Sequence, residues 1–131
     1  MIAYLLVIHF VADFLLQSRE MGKTKSSNWR VLLAHLAIQA TAFTLGLWPF
    51  FGLKTAIAFA LLNAGVHGVI DWNIWRLYKL SVLKRFPEID WADPKAASTY
   101  DYWNDSWFYH TIGLDQLLHG LTLVALAALF L

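Results

Sequence analysis

Inside otherwise apolar stretches, polar residues recur four positions apart: His9/Asp13, His67/Asp71 and Asp115/His119. His35/Gln39 makes a fourth set, and Gln17 extends the first by one more turn. Residues at i and i+4 share one face of an α-helix. The spacing therefore predicts four helices, each presenting an imidazole and an oxygen-bearing side chain toward a common centre. Ionisable groups inside membrane-type segments are costly and are functional candidates by default.

That the segments are of membrane type follows from composition. The chain is 59% hydrophobic and 15% charged, against roughly one-half and one-quarter in soluble domains, and its mean hydropathy is +0.51. Seven Trp, five Tyr and nine Phe suit the aromatic belts of membrane–water interfaces. Cysteine is absent, which excludes disulfides, thiolate nucleophiles and thiolate metal sites. The net charge of +1 and the lack of a dense basic cluster argue against a nucleic-acid partner.

The expected fold is all-α: an integral membrane four-helix bundle forming a single domain, 1–131. Its spans cover about 1–17, 31–48 (stopping at Pro49), 53–75 and 112–131, with one long interfacial loop, 76–111, between the third and fourth. The first segment is short against the roughly 20 residues a span needs. A cleaved signal is not expected there, because no basic region precedes it, no A-x-A site follows and Asp13 interrupts it. Arg19, Lys23, Lys25 and Arg30 fall in the first loop, and Arg76, Lys79, Lys84, Arg85 and Lys95 in the long one. Only Lys54 falls in the turn between. The positive-inside rule puts both loops in the cytoplasm and both termini outside, in a multi-pass inner-membrane protein. All the polar pairs then fall in the cytoplasmic leaflet. The long loop turns acidic and aromatic (Glu88, Asp90, Trp91, Asp93, then Tyr100 to His110) and reads as an interfacial cap, a common place for a functional lid.

Without thiolates, imidazole and carboxylate are the ligands for Zn²⁺, Mn²⁺ or Fe²⁺. His9, Asp13, His35, His67, Asp71, Asp115 and His119 are the candidate metal ligands, enough for one or two ions. Two ions about 4 Å apart bind a phosphate, activate a water and stabilise a leaving oxygen. Asp13 or Asp115 is the candidate general base, and Gln17, Gln39 and Gln116 are candidate outer donors that orient ligands. The bland alternative is interhelical glue, since polar side chains cross-link membrane helices without any metal. His35, paired only with Gln39, is as readily a core histidine. His110 reads as interfacial, and Asn63 and Asn73 as packing or cap groups. Gly65, Gly68, Gly113 and Gly120 flank the pairs and would let backbones approach.

HFVADFLLQ (His9–Gln17), the His35 segment, HGVID (His67–Asp71) and DQLLH (Asp115–His119) together resemble the domain-of-unknown-function family numbered 3307, short bacterial and phage membrane proteins. The resemblance covers essentially the whole chain and implies an inner-membrane protein. It brings no activity with it. In motif style the pairs are more loosely similar to membrane-bound metal-dependent hydrolases and zinc-dependent phospholipase C enzymes, which implies a reaction class only. The expected function is metal-dependent hydrolysis of a lipid or isoprenoid phosphoester. The alternatives are a non-enzymatic membrane binding or modulator protein with a structural metal or polar core, and an ion or proton relay. Expected partners are membrane lipids, a lipid-phosphate substrate, a second copy or another membrane protein. No arginine lies within the spans to clamp a phosphate. Arg19, Arg30 and Arg76 at the helix ends are the nearest candidates.

Overall fold

The structure is a computed structural model and describes residues 1–90, 93, 95 and 99–131. Trp91, read above as part of the cap, lies outside the described residues. Among those described, the chain is all-α and forms no strand. Helix α1 (Ile2–Phe10) runs into a π turn, Val11–Leu15, closed by Leu16 N–H donating to Val11 C=O at 2.9 Å. A short helix α2 (Arg19–Thr24) follows, capped by Ser18 Oγ, which accepts from Met21 N–H. Asn28 caps α3 (Trp29–Phe51). Helix α4 spans Leu53–Arg85. Asp101 caps a 3₁₀ turn, Tyr102–Asn104, and Asp105 caps α5 (Ser106–Phe130).

The i, i+4 spacing does organise the bundle. On α3 one buried stripe reads His35, Gln39, Phe43, Leu47. On α5 it reads Asp115, His119, Leu123, Ala127, and on α4 Phe59, Asn63, His67, Asp71. In α1 and the π turn it reads Leu5, His9, Asp13. Each stripe is polar at one end and apolar at the other. Because successive long helices run in opposite directions, the polar ends meet in one layer. The apolar ends meet in the other layer as a core around Phe43, Leu47, Phe59 and Leu123, all fully buried.

Several helices extend beyond the expected spans. Helix α3 does not stop at Pro49 but continues to Phe51, since a proline in the last turn removes only one of the final backbone hydrogen bonds. It ends at Gly52, whose φ of 77° and ψ of 157° lie in a region open essentially to glycine alone. That single residue reverses the chain into α4. Helix α4 extends to Arg85 rather than about residue 75, and α5 begins at Ser106 rather than about 112. The loop 76–111 is correspondingly shorter, and the unforeseen α2 lies in the first loop. The bundle therefore has five α-helices among the described residues, not four.

Helices α3, α4 and α5 are each long and apolar enough to cross a membrane. The first apolar helix, Ile2–Leu15, is shorter, roughly 21 Å at 1.5 Å per residue against a hydrocarbon core of about 30 Å. Of the glycines flanking the polar pairs, Gly68 sits in a close approach, where a Cβ would meet Leu36 Cδ1 at 2.7 Å. Gly65, Gly113 and Gly120 face open space. A second close approach is at Gly46, where a Cβ would meet Ile8 Cδ1 at 2.5 Å and whose C=O accepts from Tyr4 Oη at 2.9 Å.

Candidate metal centre

The polar layer brings His9, Asp13, His35, His67, Asp71, Asp115 and His119 together, each at most 4% exposed. They divide into two groups sharing Asp71: Asp13, His35, His67 and Asp71, and Asp71, Asp115 and His119. Within each group, one ligand atom per residue lies within 4.8 Å of all the others.

The first group has the tighter geometry. His35 Nε2 lies 2.9 Å from His67 Nε2, 3.1 Å from Asp13 Oδ1 and 3.4 Å from Asp71 Oδ2. His67 Nε2 lies 3.1 Å from Asp71 Oδ2 and 3.6 Å from Asp13 Oδ1. Donors held tetrahedrally about 2.0–2.1 Å from an ion lie about 3.3–3.4 Å apart. These five separations bracket that value, the spacing expected between ligands of a first-row metal ion. Hydrogen bonding alone serves them poorly, because an Nε2 carries at most one proton and each faces several partners.

The π turn contributes directly. Such turns are common at functional sites, and this one carries Asp13, one π-wide turn beyond His9, whose Nε2 is 3.8 Å from Asp13 Oδ2. Gln116 Nε2 donates to Asp13 Oδ2 at 3.2 Å and to Asp115 Oδ2 at 3.1 Å, tying the first group to the second. Gln39 Nε2 lies 3.4 Å from His67 Nε2. In the second group His119 Nδ1 is 3.7 Å from Asp115 Oδ2. Asp71 Oδ1, Asp115 Oδ1 and both His119 nitrogens are buried with no hydrogen-bond partner among the described residues.

One residue of the centre was not found from sequence. Lys25, just past α2, turns inward and is 4% exposed. Its Nζ lies 2.9 Å from Asp71 Oδ2, 3.3 Å from Asp13 Oδ1 and 3.5 Å from His35 Nε2. Burial works against its charge, but the Asp71 and Asp13 carboxylates outweigh that and hold the ammonium above its ordinary pKa. The segment is fixed by Lys79 of α4, whose Nζ donates to Ser26 Oγ at 2.9 Å and to Lys23 C=O at 3.3 Å. Nothing in the sequence separates Lys25 from the other basic residues of its loop.

Gln17 does not reach the ligand cluster; it lines a cleft of about 130 Å³ with Asp13, Phe14, Gly22, Lys25, Trp75, Ile112, Asp115 and Gln116. The cleft runs from the carboxylates to the surface between the π turn, α2, α4 and α5. Arg30 and Arg76 lie instead over the rings of Trp29 and Trp72. His110 is exposed beside Trp107, and Asn73 donates to Val69 C=O within its own helix.

A second polar network holds the segment before α5, whose Phe108 packs against Trp75 of the cleft wall. Asp105 accepts two hydrogen bonds from Arg85, at 2.9 and 2.8 Å, and one each from Tyr78 and Tyr100. Arg85 first, and the two tyrosines with it, hold the Asp105 carboxyl well below the usual carboxylate range.

An all-α chain with apolar helices long enough to cross a membrane and a buried His/Asp cluster able to hold a metal ion is the class this structure defines. It belongs to the family described as protein of unknown function (DUF3307), whose family model matches residues 1–131. No curated protein and no solved structure matches the chain.

Proposed function

We propose that this protein is a membrane-embedded, metal-dependent hydrolase of a lipid or isoprenoid phosphoester. The observation that carries the reading is the convergence of Asp13, His35, His67 and Asp71 ligand atoms within 4.8 Å of one another beneath a cleft that Asp13 lines. Three buried carboxylates face one lysine there. The penalty for an uncompensated buried charge is several kcal/mol, so the layer favours a further cation. The membrane reading rests on the three long apolar helices and on large apolar side chains facing outward, among them Val7, Leu61, Val69, Leu117 and Leu121. With the basic loops inside, the cleft opens at the cytoplasmic headgroup level of an inner membrane.

In this reading Asp13, His35, His67 and Asp71 hold one ion. Asp71, Asp115 and His119, with His9 beside them, hold a second. A divalent transition ion supplies Lewis acidity and a lowered water pKa. Where only the first group is occupied, Asp13 is committed to the ligand set, and Asp115, which lines the cleft and accepts from Gln116, is left as the general base. Phe14, Trp75 and Ile112 wall the cleft with apolar surface suited to the body of a lipid.

The relay alternative is disfavoured by the apolar layer, where Phe43, Leu47, Phe59 and Leu123 are fully buried and offer no proton carrier. The modulator alternative draws support from the Lys25 ion pairs, which lock a polar core without any metal. Two measurements separate it from the hydrolase: elemental analysis of gently purified protein, and phosphate release from a panel of lipid and isoprenoid phosphates. The expected result is one or two transition ions per chain and metal-dependent release from at least one substrate. A folded, metal-free protein inactive across the panel would overturn the hydrolase.

A further inference from the structure

Lys25 is a cation built into the face of the ligand set. The three atoms around its Nζ (Asp71 Oδ2, Asp13 Oδ1 and His35 Nε2) are three of the four that would surround an ion in the first group. An ammonium and a divalent ion repel strongly at low dielectric and compete for the same lone pairs. They cannot both keep these oxygens. The side chain has a way out, because Lys25 also lines the cleft, together with Gln17 and Gln116. Its backbone stays put, since Lys79 clamps Ser26 on one side and Lys23 on the other.

We propose that Lys25 exchanges places with the metal. When an ion takes Asp13 and Asp71, the ammonium swings into the cleft and becomes the binding group for the anionic, phosphate-bearing end of the ligand. This rests on the metal reading above and adds the group that Arg30 and Arg76, stacked on Trp29 and Trp72, do not provide. Charge agrees with it. Three carboxylates, two divalent ions and one ammonium leave a net charge of about +2 around the cleft, which a phosphomonoester dianion of about −2 would balance. The Gln17 amide and the apolar wall of Phe14, Trp75 and Ile112 suit a polar head on an apolar body.

The test uses the full chain in detergent and in phosphatidylcholine nanodiscs, with Co²⁺ as a spectroscopic probe. Lys25→Met should lower the thermal stability of metal-free protein and raise its Co²⁺ affinity tenfold or more, because no cation must be expelled. Inorganic phosphate should perturb the visible Co²⁺ bands of wild type, and Lys25→Met should need at least tenfold more phosphate for the same change. Lys25→Arg, which keeps the charge, should stay close to wild type in the phosphate titration. Phosphatidic acid added to the nanodiscs should weaken the phosphate response if the anion is a lipid headgroup and leave it intact if it is free phosphate. Either lipid outcome supports an anion site. Unchanged or weaker Co²⁺ binding by Lys25→Met overturns the exchange, and an unchanged phosphate titration overturns the anion role. If wild type binds no Co²⁺, the metal reading falls and this inference with it.

Discussion

His35 and His67 aim their Nε2 atoms at each other across 2.9 Å, from helices α3 and α4, while both also face Asp13 and Asp71. Two neutral imidazoles at that distance share a single proton. The Lys25 ammonium serves Asp71 Oδ2 and Asp13 Oδ1, and a metal ion would have to take those contacts over. The same pair of residues therefore sets the outcome expected from mutating their neighbours.

Asp71→Asn should abolish metal binding and activity while the protein still inserts and folds. Asn keeps the size and an acceptor oxygen but loses the charge shared by both ligand groups. If the layer were only glue, the change would cost little, because interhelical polar contacts in membranes average about 0.6 kcal/mol. Gln116→Ala should weaken metal affinity by roughly 10–100-fold, the usual effect of losing an outer-shell partner. Metal competition with a chelator and thermal unfolding in detergent read the two quantities separately. An Asp71→Asn protein that retains its metal would remove the assignment.

Asp105 should make the cap sensitive to acid. Its folded-state pKa is depressed by Arg85, Tyr100 and Tyr78. Its contribution is thus complete above the unfolded value of about 3.9 and is lost as pH falls below that toward the folded value. Fluorescence of Trp103 and Trp107 should report loosening below about pH 4. Asp105→Asn should show it already at neutral pH, at a cost of about 1–3 kcal/mol for hydrogen bonds to a charged group. A wild-type cap indifferent to acid would contradict the network.

Gly52→Ala should destabilise the α3–α4 hairpin by roughly 1–3 kcal/mol, because its backbone region is essentially closed to residues with a Cβ. The open space around Gly52 means that any loss comes from the backbone and not from a clash. Unfolding in detergent measures it. An unaffected variant would show that the turn adapts.

Because the chain has no cysteine, single-cysteine variants report orientation directly. Ser27→Cys and Glu88→Cys, both at exposed positions, should resist impermeant thiol reagents in intact cells and react after lysis. Reaction of both before lysis would reverse the topology and place the cleft on the other side.

The sequence by itself determined which residues face inward, because helical periodicity is local: His9/Asp13, His35/Gln39, His67/Asp71 and Asp115/His119 needed only a 3.6-residue turn to align. It also determined the all-α class, through long apolar segments whose backbone polar groups a membrane would force into helices. Tertiary structure alone decided how the pairs combine. That Asp13 joins His35 and His67 rather than its own neighbour His9 depends on a π turn and on how α1 meets α3 and α4. No local rule gives either. Lys25 was illegible for the same reason, since its burial follows from Lys79 on α4 gripping Ser26, a contact 53 positions away in sequence. Spacing along one helix is written in the chain, whereas the choice among partners on different helices is made only when those helices pack.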